Sequence, residues 1–240
     1  MNDRSKTALV TGGSRGIGKS IVDDLKAAGF RVAACARSAD PFEASSADMT
    51  LACDVTDPVE VRAGIASVVQ QFGAIDVLVN AAGIAGSNPL DADSRDDLWH
   101  RIIDTSLHGT YYCTKLTYPH IPDGGRIINI GSVLSHKGVA DQTAYTAAKH
   151  AVLGFTRAFA LHAAPRGITV NCVCPGWVQT DMARERWREL GLDQKQAESG
   201  VPLGRITQPD EVAALVVFLV SDQAGAITGQ AYTIDGGVLA

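Results

Sequence analysis

The sequence predicts a single α/β domain built on a parallel sheet. Three observations carry this prediction. Short apolar segments alternate with longer amphipathic ones along the chain. The length of 240 residues fits one α/β domain with a substantial core. No linker or internal repeat interrupts the alternation. Because strands that alternate with helices pair in parallel with both sheet faces covered, we treat residues 1–240 as one doubly wound domain.

Composition narrows the classes of partner. The formal net charge is −5, the sequence pI is about 5.6, and 46% of the residues are hydrophobic. An acidic chain is a poor partner for nucleic acid or an anionic membrane. No apolar run approaches the ~18 residues that span a bilayer, and the first residues are polar, so we expect a cytoplasmic protein. The five cysteines form no Cys-x-x-Cys pair, so we interpret them as small buried hydrophobic residues and do not expect them to bind a metal.

A glycine-rich loop follows the first predicted strand, residues 6–10, and leads into an amphipathic helix that reaches about residue 28. The loop places Gly12, Gly16 and Gly18 in the spacing Gly-x-x-x-Gly-x-Gly. Glycine lets the backbone turn tightly and approach a pyrophosphate, whose charge is stabilised by the helix N-terminus. A strand, loop and helix in this order predict a phosphate-binding turn for a dinucleotide.

The end of the second predicted strand, residues 29–35, indicates which dinucleotide binds. It reads Ala36-Arg37-Ser38, without the carboxylate that usually holds a free ribose 2′-hydroxyl. A guanidinium matches a 2′-phosphate instead, and Arg15 approaches the same phosphate from the glycine loop. We therefore expect Arg15, Arg37 and Ser38 to select NADP(H). The alternative is that both arginines are ordinary surface charges.

The third predicted strand, residues 49–55, ends in Asp54 and Val55. We place both residues against the adenine, where the Asp54 carboxylate would accept from the amino group. Asp54 could equally cap the helix that follows from Asp57, since aspartate is a common N-cap residue. Both roles stay open.

The fourth predicted strand, residues 75–79, ends in Asn80-Ala-Ala-Gly83. Small residues at this point allow a nicotinamide ribose to lie close to the backbone. A helix predicted over 96–118 then leads to the fifth strand, residues 126–130, which should bring the Ser132 hydroxyl to its carboxyl end. Ligands bind at that end of open α/β sheets.

Tyr145 and Lys149 lie four residues apart in an Ala-rich segment that predicts a helix, so both side chains should emerge from one face. A lysine ammonium beside a phenol favours the phenolate, and we expect the Tyr145 pKa to fall from about 10 towards the working pH. A tyrosine tuned in this way exchanges a proton with a carbonyl or alcohol oxygen. Such a pair alone is usually surface decoration; the surrounding motifs favour catalysis.

The last third of the chain is predicted to complete the sheet and cover the site. A sixth strand over 167–173 continues into Pro175 and Gly176, and a final helix over 208–221 precedes a seventh strand over 230–234. Residues 181–205 are polar with isolated apolar side chains, which is typical of a loosely anchored substrate lid, although a static surface excursion fits too. We expect the substrate pocket to be formed by this lid and the 84–91 and 133–141 loops, with apolar contacts from Trp177, Met182 and Trp187.

Together these motifs resemble the short-chain dehydrogenase/reductase family. They run in the family order along almost the whole chain: Thr11-Gly-x-x-x-Gly-x-Gly18, Asn80-Ala-Ala-Gly83, Ser132, Tyr145-x-x-x-Lys149, Pro175-Gly176 and Asp235-Gly-Gly237. The narrower similarity is to bacterial ketoreductases of the 3-oxoacyl and polyketide type. The resemblance implies a Rossmann-type fold with strand order 3-2-1-4-5-6-7 and a homotetramer or homodimer.

The resemblance also implies roles for the site residues. Tyr145 would be the general acid for reduction and the base for oxidation. Lys149 would lower the Tyr145 pKa and bind the nicotinamide ribose, and Ser132 would hydrogen-bond the substrate oxygen. Val178 and Thr180 would hold the nicotinamide carboxamide. The phosphates would be held by Thr11, Ser14, Arg15 and Ile17.

One position departs from the family pattern. Where members usually read Asn-Leu-x-Gly, this chain reads Ser106-Leu-His-Gly109. The asparagine normally helps to hold a water that joins the lysine to solvent, and serine is shorter with a single donor. We expect Ser106 or its carbonyl to keep a working, slower relay.

The leading hypothesis is an NADP(H)-dependent oxidoreductase that interconverts a ketone and a secondary alcohol. A free small or aromatic ketone or a coenzyme A ester is at least as good a substrate as a carrier-bound one, because no basic cluster precedes the fifth strand. The alternatives are an NAD-dependent catabolic alcohol dehydrogenase and a non-catalytic NADP(H) sensor. A lyase or dehalogenase of the same fold is disfavoured because all three loop glycines are present.

Overall fold

A computed structural model describes residues 5–37, 45–91 and 96–240. Its sheet has seven strands, all parallel, in the order β3-β2-β1-β4-β5-β6-β7. The predicted fold class and the strand order implied by the resemblance are therefore confirmed. The strands are β1 (Thr7–Thr11), β2 (Arg31–Ala36), β3 (Met49–Ala52), β4 (Val77–Asn80), β5 (Arg126–Ile130), β6 (Thr169–Pro175) and β7 (Ala231–Ile234).

Helices cover both faces of the sheet because its strands are apolar on both sides. In the described ranges the helices are α1 (Gly16–Ala27), α2 (Pro58–Phe72), α3 (Asp96–Ile103), α4 (Gly109–Thr117), α5 (Thr143–Ala163), α6 (Asp181–Glu189), α7 (Gln194–Ser199) and α8 (Pro209–Val220). Helices α1 and α8 bury one face, around Ile21 and Val216. Helices α2, α4 and α5 bury the other, around Ile65 and Ala160. The core is thus two apolar layers around one sheet.

The predicted helix over 96–118 is continuous but not uniform. Between α3 and α4, residues Asp104–His108 form a π-helical turn, and a 3₁₀ turn at Tyr118–His120 ends the helix. Periodicity could not predict the extra residue in this turn. It matters because Ser106 lies within the π turn, and single π turns are frequent at functional sites.

The predicted lid forms two helices, α6 and α7, with a small core of its own. Trp187 is only 4% exposed and packs with Ala183, Ala197, Val201 and Ile206. The segment is therefore better anchored than its polar composition suggested. The reason is that Ala183, Trp187, Ala197 and Val201 of the segment are buried together.

Two further expectations concern the burial of the cysteines and the lack of a membrane-spanning segment. All five cysteines are free and buried. In the described residues no helix is both long enough and apolar enough to cross a membrane.

Candidate active site

Two adjoining cavities open where the chain order reverses, at the carboxyl ends of β1 and β4. The glycine-loop cavity has a volume of about 410 Å³ and is lined by Gly12 to Gly18 except Gly13. The Tyr145 cavity has a volume of about 330 Å³ and contains Ser132, Tyr145 and Lys149 in its wall. The two share Ile17, Ala81, Gly83, Thr180 and Met182. A ligand that fills the first therefore ends at the entrance of the second.

The glycine loop leaves no room for side chains. Gly12 adopts φ +67°, and a Cβ atom on it would lie 2.8 Å from the Ala82 backbone. A Cβ atom on Gly18 would lie 2.1 Å from the Gly12 carbonyl oxygen. Helix α1 begins after Arg15 with no side-chain cap, so its first N–H groups remain available to an anion. This cradle fits a pyrophosphate.

Two exposed guanidinium groups border the same cavity. Arg15 and Arg37 both line it, and within residues 5–37, 45–91 and 96–240 neither forms an ion pair. An arginine after β2 and a second one in the glycine loop suit a phosphate on the adenosine ribose. Ser38, the third residue predicted here, lies outside the described residues.

Thr11 and Asp54 make structural contacts. Thr11 is buried, and its Oγ1 accepts from the Ala81 and Ala82 N–H groups at 3.2 Å, which ties β1 to the loop after β4. Asp54 Oδ1 accepts from Thr56, at 2.9 Å from the backbone nitrogen and 2.8 Å from Oγ1. The α2 cap is Asp57 instead, through its bond to the Val59 N–H. Neither Thr11 nor Asp54 lines either of these two cavities as the described residues form them, whereas Val55 lines the glycine-loop cavity.

Asn80 is the centre of a buried amide network. Its Nδ2 donates to Thr114 Oγ1 at 3.0 Å and to Asn129 Oδ1 at 2.8 Å, and Asn129 Nδ2 donates to Thr156 Oγ1 at 2.9 Å. The network joins β4, β5, α4 and α5 directly below the cavities, so Asn80 supports the site from behind. Sequence reasoning missed Asn129, although a lone amide in an apolar strand was a usable signal.

Ser132, Tyr145 and Lys149 converge on the Tyr145 cavity, as predicted from their motifs. Lys149 Nζ lies 5.4 Å from the Tyr145 ring centre and donates to the Ile130 carbonyl oxygen at 2.7 Å. Ser132 is the N-cap of a 3₁₀ turn, and its Oγ accepts from the Leu134 N–H at 3.1 Å. Because the Oγ accepts there, its own proton is free to point into the cavity.

Ser135 fixes the position of Ser132 against α5. Its Oγ accepts from the Ser132 N–H at 3.2 Å and donates to the Lys149 carbonyl oxygen at 2.9 Å. This bridge links the loop and the helix that carry the three predicted catalytic side chains. The Ser-x-x-Ser spacing of a capping box was the signal that sequence reasoning overlooked.

Ser106 lies beside Lys149, next to Gly83. A Cβ atom on Gly83 would lie 3.6 Å from Ser106 Oγ and 3.7 Å from Lys149 Nζ. Ser106 is 1% exposed, and its Oγ finds no hydrogen-bond partner within the described residues. Its carbonyl oxygen accepts from Thr110 Oγ1 at 2.8 Å. The hydroxyl is therefore the unused polar group next to the lysine.

The outer wall of the Tyr145 cavity is mainly apolar. Trp177 and Met182 line it as predicted, whereas Trp187 does not. Trp187 packs behind Trp177, edge to face with ring centres 6.0 Å apart. Thr180 Oγ1 caps α6 by accepting from the Ala183 N–H. Pro175, Gly176 and Val178, which we expect at the cofactor, line this cavity as well.

A charged group interrupts this apolar wall. Arg186 on α6 donates to Asp141 and, at 2.8 Å, to Glu189. The Arg186 guanidinium holds the pKa of the Asp141 carboxyl below its usual range. Asp141, Arg186 and Lys137 all line the Tyr145 cavity. Sequence reasoning did not find the pair, because 45 residues separate its members.

Comparison of the chain with known proteins identifies its family. The model of a family described as enoyl-(acyl carrier protein) reductase matches residues 12–239. The acetoacetyl-CoA reductase of Shinella zoogloeoides is 42% identical over 239 residues, which cover 97% of this chain and 98% of the relative. The chain belongs to the short-chain dehydrogenase/reductase family.

Two further members of this short-chain dehydrogenase/reductase family are similar over their full length. The 3-oxoacyl-(acyl-carrier-protein) reductase of Vibrio harveyi is 42% identical, covering 99% of each chain. A solved structure of an actinorhodin polyketide ketoreductase variant with NADPH superposes with a TM-score of 0.92 at 38% identity, covering 98% of this chain and 97% of the other. The sequence-based assignment to this family is confirmed.

Proposed function

We propose that the protein reduces the ketone of a 3-oxoacyl thioester, or of a similarly compact ketone, to a secondary alcohol, with Tyr145 as the proton donor. One observation carries the proposal. Ser132, Tyr145 and Lys149 share the wall of an apolar cavity that opens onto the glycine-loop cavity. The similarity to acetoacetyl-CoA and 3-oxoacyl reductases supports this substrate class.

The cofactor is NADP(H). The Gly12 and Gly18 cradle fits its pyrophosphate, and the free Arg15 and Arg37 fit its 2′-phosphate. When bound, NADPH supplies the hydride that adds to the carbonyl carbon. The protein is thus a ketoreductase of the short-chain family, and what remains to be argued is how its own side chains handle the oxygen and the proton.

Each polar side chain has a separate task. The Ser132 hydroxyl keeps its proton and donates a hydrogen bond to the carbonyl oxygen, which stabilises the negative charge that develops there. The Tyr145 hydroxyl then transfers its proton to that oxygen and completes the alcohol. Lys149 uses one of its three N–H groups on Ile130, so two remain, one for the cofactor ribose and one for a water. Its positive charge, close to the Tyr145 ring, favours the phenolate left on Tyr145.

The proton lost by Tyr145 must be replaced from solvent. We infer that a water held between Ser106 Oγ and Lys149 Nζ starts this return path. The unpartnered hydroxyl of Ser106 beside Gly83 is the support for this inference, since a buried hydroxyl without a protein partner commonly binds water.

The experiment measures NADPH oxidation with 3-oxobutanoyl-CoA in the wild type and in Tyr145→Phe. Removing a general acid should lower kcat by about 10²–10⁴-fold, while the Kd for NADPH stays within about threefold. Tyr111→Phe, on the exposed side of α4, is the matched control and should leave kcat unchanged. Crotonyl-CoA in a parallel assay tests for enoyl reduction.

Three outcomes would contradict the proposal. NADPH binding without turnover of any ketone would favour the sensor, and turnover of crotonyl-CoA alone would favour an enoyl reductase. A Tyr145→Phe variant that keeps more than about a tenth of the wild-type kcat would exclude Tyr145 as the acid.

A further inference from the structure

Three walls of the Tyr145 cavity meet at one carboxylate. Asp141 belongs to the loop before α5, and its Oδ2 accepts from Arg186 of α6 and from Ser87 Oγ, at 3.4 Å, in the loop after β4. The Asp141 backbone carbonyl also accepts from the Asn88 N–H at 2.7 Å. Asp141 therefore joins α6 to both loops that were expected to form the substrate pocket.

Arg186 is held in place by the cost of burying its charge. Its side chain is 7% exposed, whereas those of Asp141 and Glu189 are 33% and 42% exposed. A buried guanidinium needs its acceptors, since an unpaired charge in this position is strongly unfavourable. Moving α6 away from the 133–141 loop would separate Arg186 from Asp141. The position of α6 is thus tied to this ion pair.

No equivalent polar contact is available nearby. In the part of the chain that the structure describes, the hydrogen bonds of α6 run to Asp141 and otherwise to neighbouring residues on its own segment. The buried apolar cluster around Trp187, which includes Ala183 of α6, contains no residue of the 133–141 loop among those described. The lining of the glycine-loop cavity, as described, includes none of Asp141, Arg186 and Glu189.

We propose that Arg186 is a positioning residue that, through Asp141, holds α6 against the substrate and thereby sets substrate affinity. This inference rests on the proposed function. It goes beyond the proton chemistry of Tyr145, because the pair acts on how tightly the ketone is held, and neither member of the pair lines the glycine-loop cavity.

The kinetic test compares Arg186→Met with Arg186→Lys. The methionine keeps the length of the side chain without its charge, and the KM for 3-oxobutanoyl-CoA should rise about tenfold or more. The kcat and the Kd for NADPH should stay within about threefold, because uniform binding is lost without loss of transition-state contacts. The lysine of Arg186→Lys restores one ion pair, so its KM should lie close to that of the wild type.

Two further variants make the result interpretable. Asp141→Asn removes the same ion pair from the other side with a smaller change in volume, so it covers the case in which Arg186→Met folds poorly. Asp123→Asn removes a carboxylate from the exposed pair with Arg166, far from the cavity, and should change nothing. An unchanged KM in both Arg186→Met and Asp141→Asn, with or without a fall in kcat, would overturn the proposal.

Hydrogen exchange of residues 181–200 in the NADPH complex provides a readout independent of turnover. Exchange should accelerate in Arg186→Met and Asp141→Asn and stay unchanged in Asp123→Asn. If the wild type reduces no ketone, the proposed function fails, and this exchange still tests the ion pair. Exchange equal to that of the wild type in both variants would show that the pair does not position α6.

Discussion

Arg37→Ala should remove most of the preference of the protein for NADPH over NADH. Arg37 is exposed at the end of β2 and makes no ion pair within the described residues, so its guanidinium is available to a 2′-phosphate. A hydrogen bond to a charged group contributes about 1.5–3 kcal/mol. At 1.4 kcal/mol per tenfold, this range corresponds to about 10- to 140-fold weaker NADPH binding, and we expect the lower end because the contact is exposed. The NADH affinity should stay within about twofold of the wild type.

The assay is a titration of purified protein with NADPH and NADH side by side. It is run at about 0.1 M salt, where the Debye length of about 10 Å screens distant charges and leaves the contact itself. Arg15→Ala should weaken both nucleotides, because Arg15 also borders the pyrophosphate cradle. Arg62→Ala, an exposed arginine of α2, is the matched control and should change neither affinity.

Equal binding of NADPH and NADH by the wild type would refute this reasoning. So would an Arg37→Ala variant that loses the same factor for both nucleotides, because the contact would then lie on the shared part of the cofactor. Either result would favour an NAD-dependent catabolic alcohol dehydrogenase over a reductase.

Three other predictions test the cradle, the relay and one surface ion pair. Gly18→Ala places a Cβ 2.1 Å from the Gly12 carbonyl oxygen, so the loop must shift and the NADPH Kd should rise more than about tenfold in the same titration. Ser106→Asn should leave kcat within about tenfold, because a bridging water replaces a direct contact at modest cost; a hundredfold gain would show that the native relay is broken. Arg205 holds the pKa of Glu211 at about 2, below its ordinary 4.5. Because this folded-state pKa is depressed, its stabilisation is present above pH 4.5 and is lost as the pH falls through about 2. Glu211→Gln should therefore cost about 0.5–1 kcal/mol in urea unfolding at pH 7. That difference should shrink towards pH 2, and a constant difference would contradict the prediction.

Local chemistry was enough to place the elements and the motifs. The apolar run Arg126–Ile130 is a strand with the predicted bounds, and the predicted strand ends elsewhere are within about three residues of those observed. Gly12 and Ser132 follow the carboxyl ends of β1 and β5, and Tyr145 and Lys149 lie one turn apart on α5, because motif spacing and strand direction are both local properties. The parallel sheet then brings those ends to one edge.

Contacts between distant segments were not readable in the same way. The hydrogen bond of Asn80 to Asn129 was not foreseen, and Trp187 was expected in the pocket and instead packs behind Trp177. In both cases side-chain type and spacing predicted an inward-facing residue, and only packing decided which interior it entered. The ion pair of Asp141 and Arg186 left no local signal at all.

The sequence by itself determined the sheet, the glycine cradle and the candidate catalytic side chains, because hydrophobic period, backbone freedom and one-turn spacing are short-range constraints. The tertiary structure alone decided how the substrate cavity is closed and what surrounds Ser106. Those features depend on which atoms meet after the chain has folded. Burial makes these contacts specific, since a buried charge or hydroxyl requires a hydrogen-bond or ion-pair partner at a definite position.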